Sequence, residues 1–150
     1  MPPQDNNVSE RPTSVPIASL VKRSEIKLLV VEDDRFLREL LVGKLKREGF
    51  SVSEAFNGQE AIDQIKAVRP HLILLDLVLP GTDGFDVLLE MKNAPDLKTP
   101  TIVLSNLGSR EDINKAMDLG AKEFMVKAHH TPQEIVEKIK KVLDEHYFQK

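Results

Sequence analysis

The sequence predicts an α/β fold, a doubly wound five-stranded parallel sheet with five helices stacked as a three-layer sandwich. Three observations carry that reading. Short unbroken aliphatic runs recur along the chain, as expected of strands buried on both faces. Segments of helical periodicity lie between them, so strand and helix alternate. Turn residues stand at the junctions: Gly49 and Gly120 just past helical segments, Pro70 and Pro100 just before strands. Right-handed crossovers then cover both faces of the sheet with helices.

Each element follows in order. Residues 1–16, MPPQDNNVSERPTSVP, hold four prolines and almost no large apolar side chains. Such a stretch cannot bury enough surface to offset its ordering entropy. Residues 1–24 are therefore expected to form a disordered N-terminal extension and residues 25–148 the folded domain, with no output domain behind it. IKLLVV (26–31) reads as the first strand, and Phe36, Leu37, Leu40, Leu41 and Leu45 as the apolar stripe of the first helix. FSVSEA (50–55) is a weaker second strand, followed by a stripe of Ala61, Ile62, Ile65 and Val68. HLILLD (71–76) is the third strand, and Phe85, Leu88, Leu89 and Met91 form the third stripe. TIVLS (101–105) precedes Ile113, Ala116 and Met117, and EFMVK (123–127) precedes Ile135, Val136, Ile139, Val142 and Leu143. The last helix opens with Thr131 as N-cap, Pro132 in the first turn and Glu134 completing a capping box.

Composition removes several function classes. The chain has 150 residues, 41% hydrophobic and 30% charged, with a formal net charge of -3. That balance offers no electrostatic hold on nucleic acid or on an anionic membrane. The absence of cysteine excludes disulfides, thiol catalysis and cysteine-ligated zinc. No apolar run approaches the roughly 18 residues of a membrane span, and no signal run opens the chain. A cytoplasmic location is expected.

In an open parallel sheet, chemistry gathers at the carboxyl ends of the strands. The first apolar run ends in Glu32, Asp33 and Asp34, the third in Asp76, the fourth in Ser105 and Asn106, and the fifth in Lys127. Each alone has an ordinary explanation. Asp33 or Asp34 serves equally well as a helix cap, Ser105 as a strand-end hydroxyl and Lys127 as a surface lysine. Asp76 is harder to dismiss, because Leu72 to Leu75 before it are core residues.

Together they say more. Two carboxylates about 4 Å apart repel by about 4 kcal/mol at an effective dielectric near 20. A cluster of Glu32, Asp33 and Asp76 must protonate or find a cation. One lysine cannot offset three acids, and an all-oxygen donor set favours Mg²⁺ or Mn²⁺. With Ser105 and Lys127 opposite, the group forms a socket for a phosphoryl group in which the Asp76 carboxylate is the nucleophile.

At this point the residues resemble the receiver domain of two-component response regulators, a flavodoxin-like fold. The resemblance runs from about residue 26 to 146, on LLVVEDD, LLDLVLPGTDGFDVL, TIVLSN and GAKEFMVKA in the right order and spacing. It implies that Asp76 is the phospho-accepting aspartate. Glu32 and Asp33 match the acidic pair, Asp33 as a direct Mg²⁺ ligand and Glu32 through water. Val78 matches the residue whose main-chain carbonyl also binds the metal. Ser105 matches the hydroxyl that turns onto the phosphoryl group, Lys127 the lysine that pairs with it, and Phe124 the aromatic that swings inward behind Ser105. Gly84 fits the family's glycine in the loop after the phosphosite. The implied donor is a phosphohistidine on a sensor histidine kinase or a histidine phosphotransfer protein. The implied output is a change of contacts with an unidentified downstream protein, or relay of the phosphoryl group. The implied reading surface covers residues 110–119 and 123–146.

Three positions depart from the family pattern. Ala128 stands where proline, joined through a cis bond, usually follows the lysine; a cis bond before alanine costs about 2.5–4 kcal/mol, so a trans bond or a strained one is expected. Asn106 stands where a smaller residue is usual. Phe124 lacks the hydroxyl of the commoner tyrosine. Val78 and Leu107 flank the expected path of an attacking water without a polar side chain to orient it, which predicts slow self-hydrolysis. Self-phosphorylation and self-dephosphorylation are the only chemistry expected, so the protein is not read as an enzyme. A phosphatase on a similar sheet would need a second acid two residues after its nucleophile, where this chain has Val78. A flavin-binding reading lacks a phosphate cradle. A degenerate receiver used purely as a phosphorylation-independent binding module is the remaining alternative.

Overall fold

The computed structural model describes residues 22–148. Five strands form one parallel sheet: β1 (Lys27–Val31), β2 (Ser51–Ala55), β3 (Leu72–Leu75), β4 (Thr101–Ser105) and β5 (Glu123–Val126). Five α-helices alternate with them among the described residues: α1 (Arg35–Arg47), α2 (Gly58–Val68), α3 (Gly84–Lys92), α4 (Arg110–Asp118) and α5 (Pro132–Leu143). The strand order is β2-β1-β3-β4-β5. β1 therefore sits between β2 and β3, which places the ends of β1 and β3 side by side, with Val31 opposite Leu75.

Alternation along each strand divides the core in two. Leu28, Val30, Leu74, Ile102 and Leu104 point to the face covered by α1 and α5. Leu29, Val31, Ile73, Leu75 and Val103 point to the face covered by α2, α3 and α4. Continuous aliphatic runs are thus two interleaved sets, each filling one layer.

The junction residues act as expected. Gly49 and Gly120 adopt φ of 103° and 105°, the left-handed region that glycine enters without steric penalty. Thr131 and Glu134 form the reciprocal capping box at the start of α5. Asp83 and Asp86 form another on α3, unforeseen because neither is the usual box residue at both positions.

Three stripes need correction at one position each. Phe36, assigned to the core face of α1, is 80% exposed, while Leu41 and Leu45 are buried. Leu89 and Met117 are likewise exposed. Phe36 lies in the first turn of α1, just past the carboxyl end of β1, where helical phase alone does not place a side chain over the sheet. The expectation of disorder for residues 1–24 lies, for residues 1–21, outside the described residues. Among the described residues Arg23, in a single 3₁₀ turn (Arg23–Glu25), already contacts the domain: its guanidinium pairs with Glu48 at 2.8 Å.

At the opposite end of the chain, α5 continues into a π-helical turn, Asp144–Phe148. There the Tyr147 hydroxyl donates to the His71 carbonyl at 2.6 Å, and the two rings meet edge to face. His71 Nδ1 in turn accepts from the Lys27 main-chain N–H at 3.0 Å. This clasp closes the end of the sheet where β1 and β3 begin.

Candidate functional site

Four strands deliver the site. The Glu32 N–H donates to the Ala55 carbonyl and the Asp76 N–H to the Val31 carbonyl, both at 3.0 Å. Sheet pairing thus extends one residue past β1 and β3 and fixes both acids at neighbouring strand ends. Glu32 is 2% exposed and Asp76 4%, while Asp33 faces solvent. One carboxylate oxygen from each of Glu32, Asp33 and Asp76 lies within 4.8 Å of the others. The predicted acidic cluster is present.

The ambiguity of the Glu32–Asp33–Asp34 triplet resolves by division of labour. Asp34 is the N-cap of α1, accepting from the Leu37 N–H at 3.2 Å. Its own N–H donates to Glu32 Oε2 at 3.0 Å, which holds the Glu32 side chain toward Asp76.

Lys127, immediately after β5, reaches across the strand ends. Its Nζ lies 2.7 Å from Glu32 Oε1 and 2.8 Å from Asp76 Oδ2. The other Asp76 oxygen, Oδ1, accepts from the Val78 N–H at 3.2 Å. Burial pushes the Glu32 carboxyl above the usual carboxylate range, and the Asp76 charge adds to this against the pull of Lys127 and the Asp34 N–H. Burial works against the Lys127 ammonium as well, but hydrogen bonds to Asp76 and Glu32 outweigh it and hold its pKa above the ordinary lysine value. Lys127 is accordingly a fixed cation at neutral pH. One ammonium still faces three acids, so the all-oxygen group fits a hard divalent cation.

The remaining predicted residues flank this pocket. Ser105 ends β4 fully buried, and its Oγ accepts from the Leu107 N–H at 3.3 Å. Phe124 on β5 is half-buried, packed against the core layer that holds Leu75 and Val103. Asn106 is exposed. The Lys127–Ala128 bond is trans, and Lys127 reaches the acids without the proline.

Two supports, Arg38 and Gly58, escaped the sequence reading. Arg38, one turn into α1, donates from Nη1 to the Glu32 carbonyl at 2.8 Å, pairs with Glu54 at 3.2 Å and lies 4.9 Å from the centre of the Phe56 ring. Nothing in the sequence separates Arg38 from the other charged residues of an amphipathic helix. Gly84 was noted for its fit to a pattern, and the structure gives the cause. A Cβ there would fall onto the main chain of Asp76 and Leu77, and the Gly84 N–H donates to the Leu77 carbonyl at 2.9 Å. Gly58 makes the equivalent close approach to Thr82, in the loop between β3 and α3.

A buried acid pair, a lysine and a strand-end hydroxyl at the carboxyl edge of this sheet match a known family. Residues 28–140 fit the model of the response regulator receiver domain. The chain belongs to that family. Receiver domains of known structure share the fold. One is a response regulator receiver domain protein (CheY-like) from Methanospirillum hungatei JF-1, 28% identical, with a TM-score of 0.73 over 80% of this chain and 94% of that one. A second, a response regulator from Chloroflexus aurantiacus J-10-fl, is 31% identical, with a TM-score of 0.72 over 79% and 97%. A third is the BeF3-activated N-terminal receiver domain of Klebsiella pneumoniae RstA, 26% identical, with a TM-score of 0.71 over 78% and 97%. In this receiver domain the matched span contains Glu32, Asp33, Asp76, Ser105 and Lys127. No described helix is long and apolar enough to cross a membrane.

Proposed function

We propose that this receiver domain accepts a phosphoryl group on Asp76 from a phosphohistidine of a kinase or phosphotransfer protein. The observation that carries the reading is the setting of Asp76: a carboxylate at a strand end, 4% exposed, between a fixed ammonium and two further acids. An Asp76 oxygen attacks phosphorus, the phosphorus–nitrogen bond breaks, and the imidazole leaves with that electron pair. Glu32, Asp33, Asp76 and the Val78 carbonyl would hold Mg²⁺ or Mn²⁺, which when bound offsets negative charge on the phosphoryl oxygens and the acids. Lys127 supplies a cation to one phosphoryl oxygen and Ser105 a hydroxyl to another. Phe124 follows Ser105 inward, and the surface formed by α4, β5 and α5 changes its contacts with a downstream protein or precedes onward relay.

Support for a protein donor comes from the rim. Phe36, Phe56 and Val78 expose large apolar side chains on the first turn of α1 and on the loops that follow β2 and β3. They give a partner helix something to grip beside the acids. Residues 25–148 constitute the signalling unit in this reading, a cytoplasmic one with no nucleic-acid or membrane contact of its own. Its chemistry is limited to gaining and slowly losing the phosphoryl group. Val78 and Leu107 place no polar side chain where a hydrolytic water would need one, so the aspartyl phosphate is expected to outlast seconds.

Intact mass after incubation with Mg²⁺ and acetyl phosphate tests the proposal. Wild type gains one phosphoryl group and Asp76→Ala gains none. A gain in both moves the phosphosite away from Asp76, and a gain in neither, even with a phosphohistidine donor, leaves a phosphorylation-independent binding module.

A further inference from the structure

We infer a second ligand site, for an acidic and partly apolar peptide segment of a partner protein, at the end of the sheet opposite Asp76. A groove of about 540 Å³ opens there, where the carboxyl ends of α3 and α4 meet the start of β4. Its floor includes the buried side chains of Leu88 and Met91. Its rim holds Lys92 from the end of α3, Lys98 from the approach to β4 and Lys122 from the turn before β5. Among the described residues no aspartate or glutamate lines it.

Charge complementarity identifies the occupant. The chain carries more acids than bases, 24 against 21. Some lysines elsewhere pair with acids, as Lys66 does with Glu90, Lys138 with Glu123 and Lys140 with Glu48, whereas Lys44 and Lys46 on α1 pair with none among the described residues. Among the described residues neither Lys92, Lys98 nor Lys122 pairs with a carboxylate. Lys92 instead donates to the Asp118 carbonyl at 2.9 Å, which satisfies a free carbonyl at the end of α4. Three lysines from three separate elements therefore surround an apolar floor, and no carboxylate among the described residues pairs with them. A small anion would use the rim and leave the floor wet, and an apolar molecule would do the reverse. A peptide with leucine or phenylalanine among glutamates satisfies both.

The position gives the site a consequence. α3 begins at Gly84, against the Asp76 main chain, and ends in the groove at Lys92. An occupant would bridge the far ends of the two helices that leave the phosphosite loops, without obstructing a donor at Asp76.

The test is an NMR titration of the ¹⁵N-labelled full chain with a synthetic peptide of leucines set among glutamates. Amide shifts are expected at Lys92, Thr99, Gly120 and Lys122, and the double variant Lys98→Glu, Lys122→Glu should bind about tenfold more weakly or worse. Both positions are exposed, so the variant should melt with wild type. The same peptide with lysines in place of glutamates should cause no shifts. Four results would overturn the inference: no shifts; equal shifts around Lys44 and Lys46 on α1; the same response to inorganic phosphate alone; or groove shifts that follow protein concentration without peptide, which would assign the groove to a second copy of the chain.

Discussion

The two halves of the acidic pocket are held in different ways. The half carrying Glu32 and Asp76 is fixed by main chain. Its strands pair past their ends, Arg38 grips the Glu32 carbonyl, and Gly84 brings the α3 backbone against Asp76. The half carrying Ser105 and Phe124 sits on strands paired as far as Ser105 and Val126, but the segment that follows Ser105 is held by less. Ser105 Oγ has the Leu107 N–H as partner, and α4, the helix that follows, buries only Ala116 among its described residues. By contrast α3 buries Gly84, Val87, Leu88 and Met91. Lateral contacts compensate in α4: Lys115 lies 4.2 Å from the centre of the Phe85 ring, and Lys92 donates to the Asp118 carbonyl. A site built this way keeps its charges in place while the segment that follows Ser105 can shift at small cost.

Breaking the rigid half should have the largest effect. Gly84→Ala forces a Cβ into the main chain of Asp76 and Leu77. It is expected to cost about 1–3 kcal/mol in urea unfolding and to abolish the phosphoryl gain seen by mass. If Gly84→Ala matches wild type in both, the rigid half is not rigid. Next comes Arg38→Met, which removes the donor from the Glu32 carbonyl while keeping bulk over Phe56. It should destabilise by about 1–3 kcal/mol and weaken Mg²⁺ binding measured by calorimetry.

The soft half should respond differently. Lys115→Ala removes the contact over Phe85 and is expected to cost no more than about 1 kcal/mol. Its signature is local: amide exchange in α4 should quicken while α3 keeps wild-type protection. Uniform quickening would mean that α4 is anchored as firmly as its neighbour.

The smallest effect belongs to the clasp at the other end of the sheet, which serves as a control for both halves. Burial, with Lys27 nearby, holds the His71 imidazole below its ordinary pKa. Its neutral form is the one that accepts from the Lys27 N–H. The unfolded chain therefore takes up a proton first as pH falls, so stability is complete above about pH 6.5 and declines through and below it. Thermal melts should show wild type losing slightly more than His71→Gln between about pH 7.5 and pH 5.5, with no change in α4 exchange.

The rigid half was the legible one. Strand ends are announced by aliphatic runs, and acids that follow such runs are costly enough to stand out, so Glu32, Asp33, Asp76 and Lys127 could be gathered from sequence. What failed depends on where a side chain falls along its element. Phe36 keeps the helical phase of Leu40 yet stands exposed in the first turn of α1, and phase says nothing about that. Arg38 acts through a main-chain oxygen, which has no sequence signature. The groove between α3 and α4 is equally silent, since Lys92, Lys98 and Lys122 are separated in sequence and meet through the fold. Ser105 was found by its place at a strand end, but the thin anchoring of α4 emerges from packing.

The clasp of Tyr147 on His71 has an optical consequence. Tyr147 is the chain's single tyrosine and there is no tryptophan to mask it. Excited where phenylalanine does not absorb, native ultraviolet emission therefore comes from one phenol ring, its hydroxyl bonded to one carbonyl at the end of the sheet remote from the acids. Without any label, that emission reports whether the turn Asp144–Phe148 is docked or frayed.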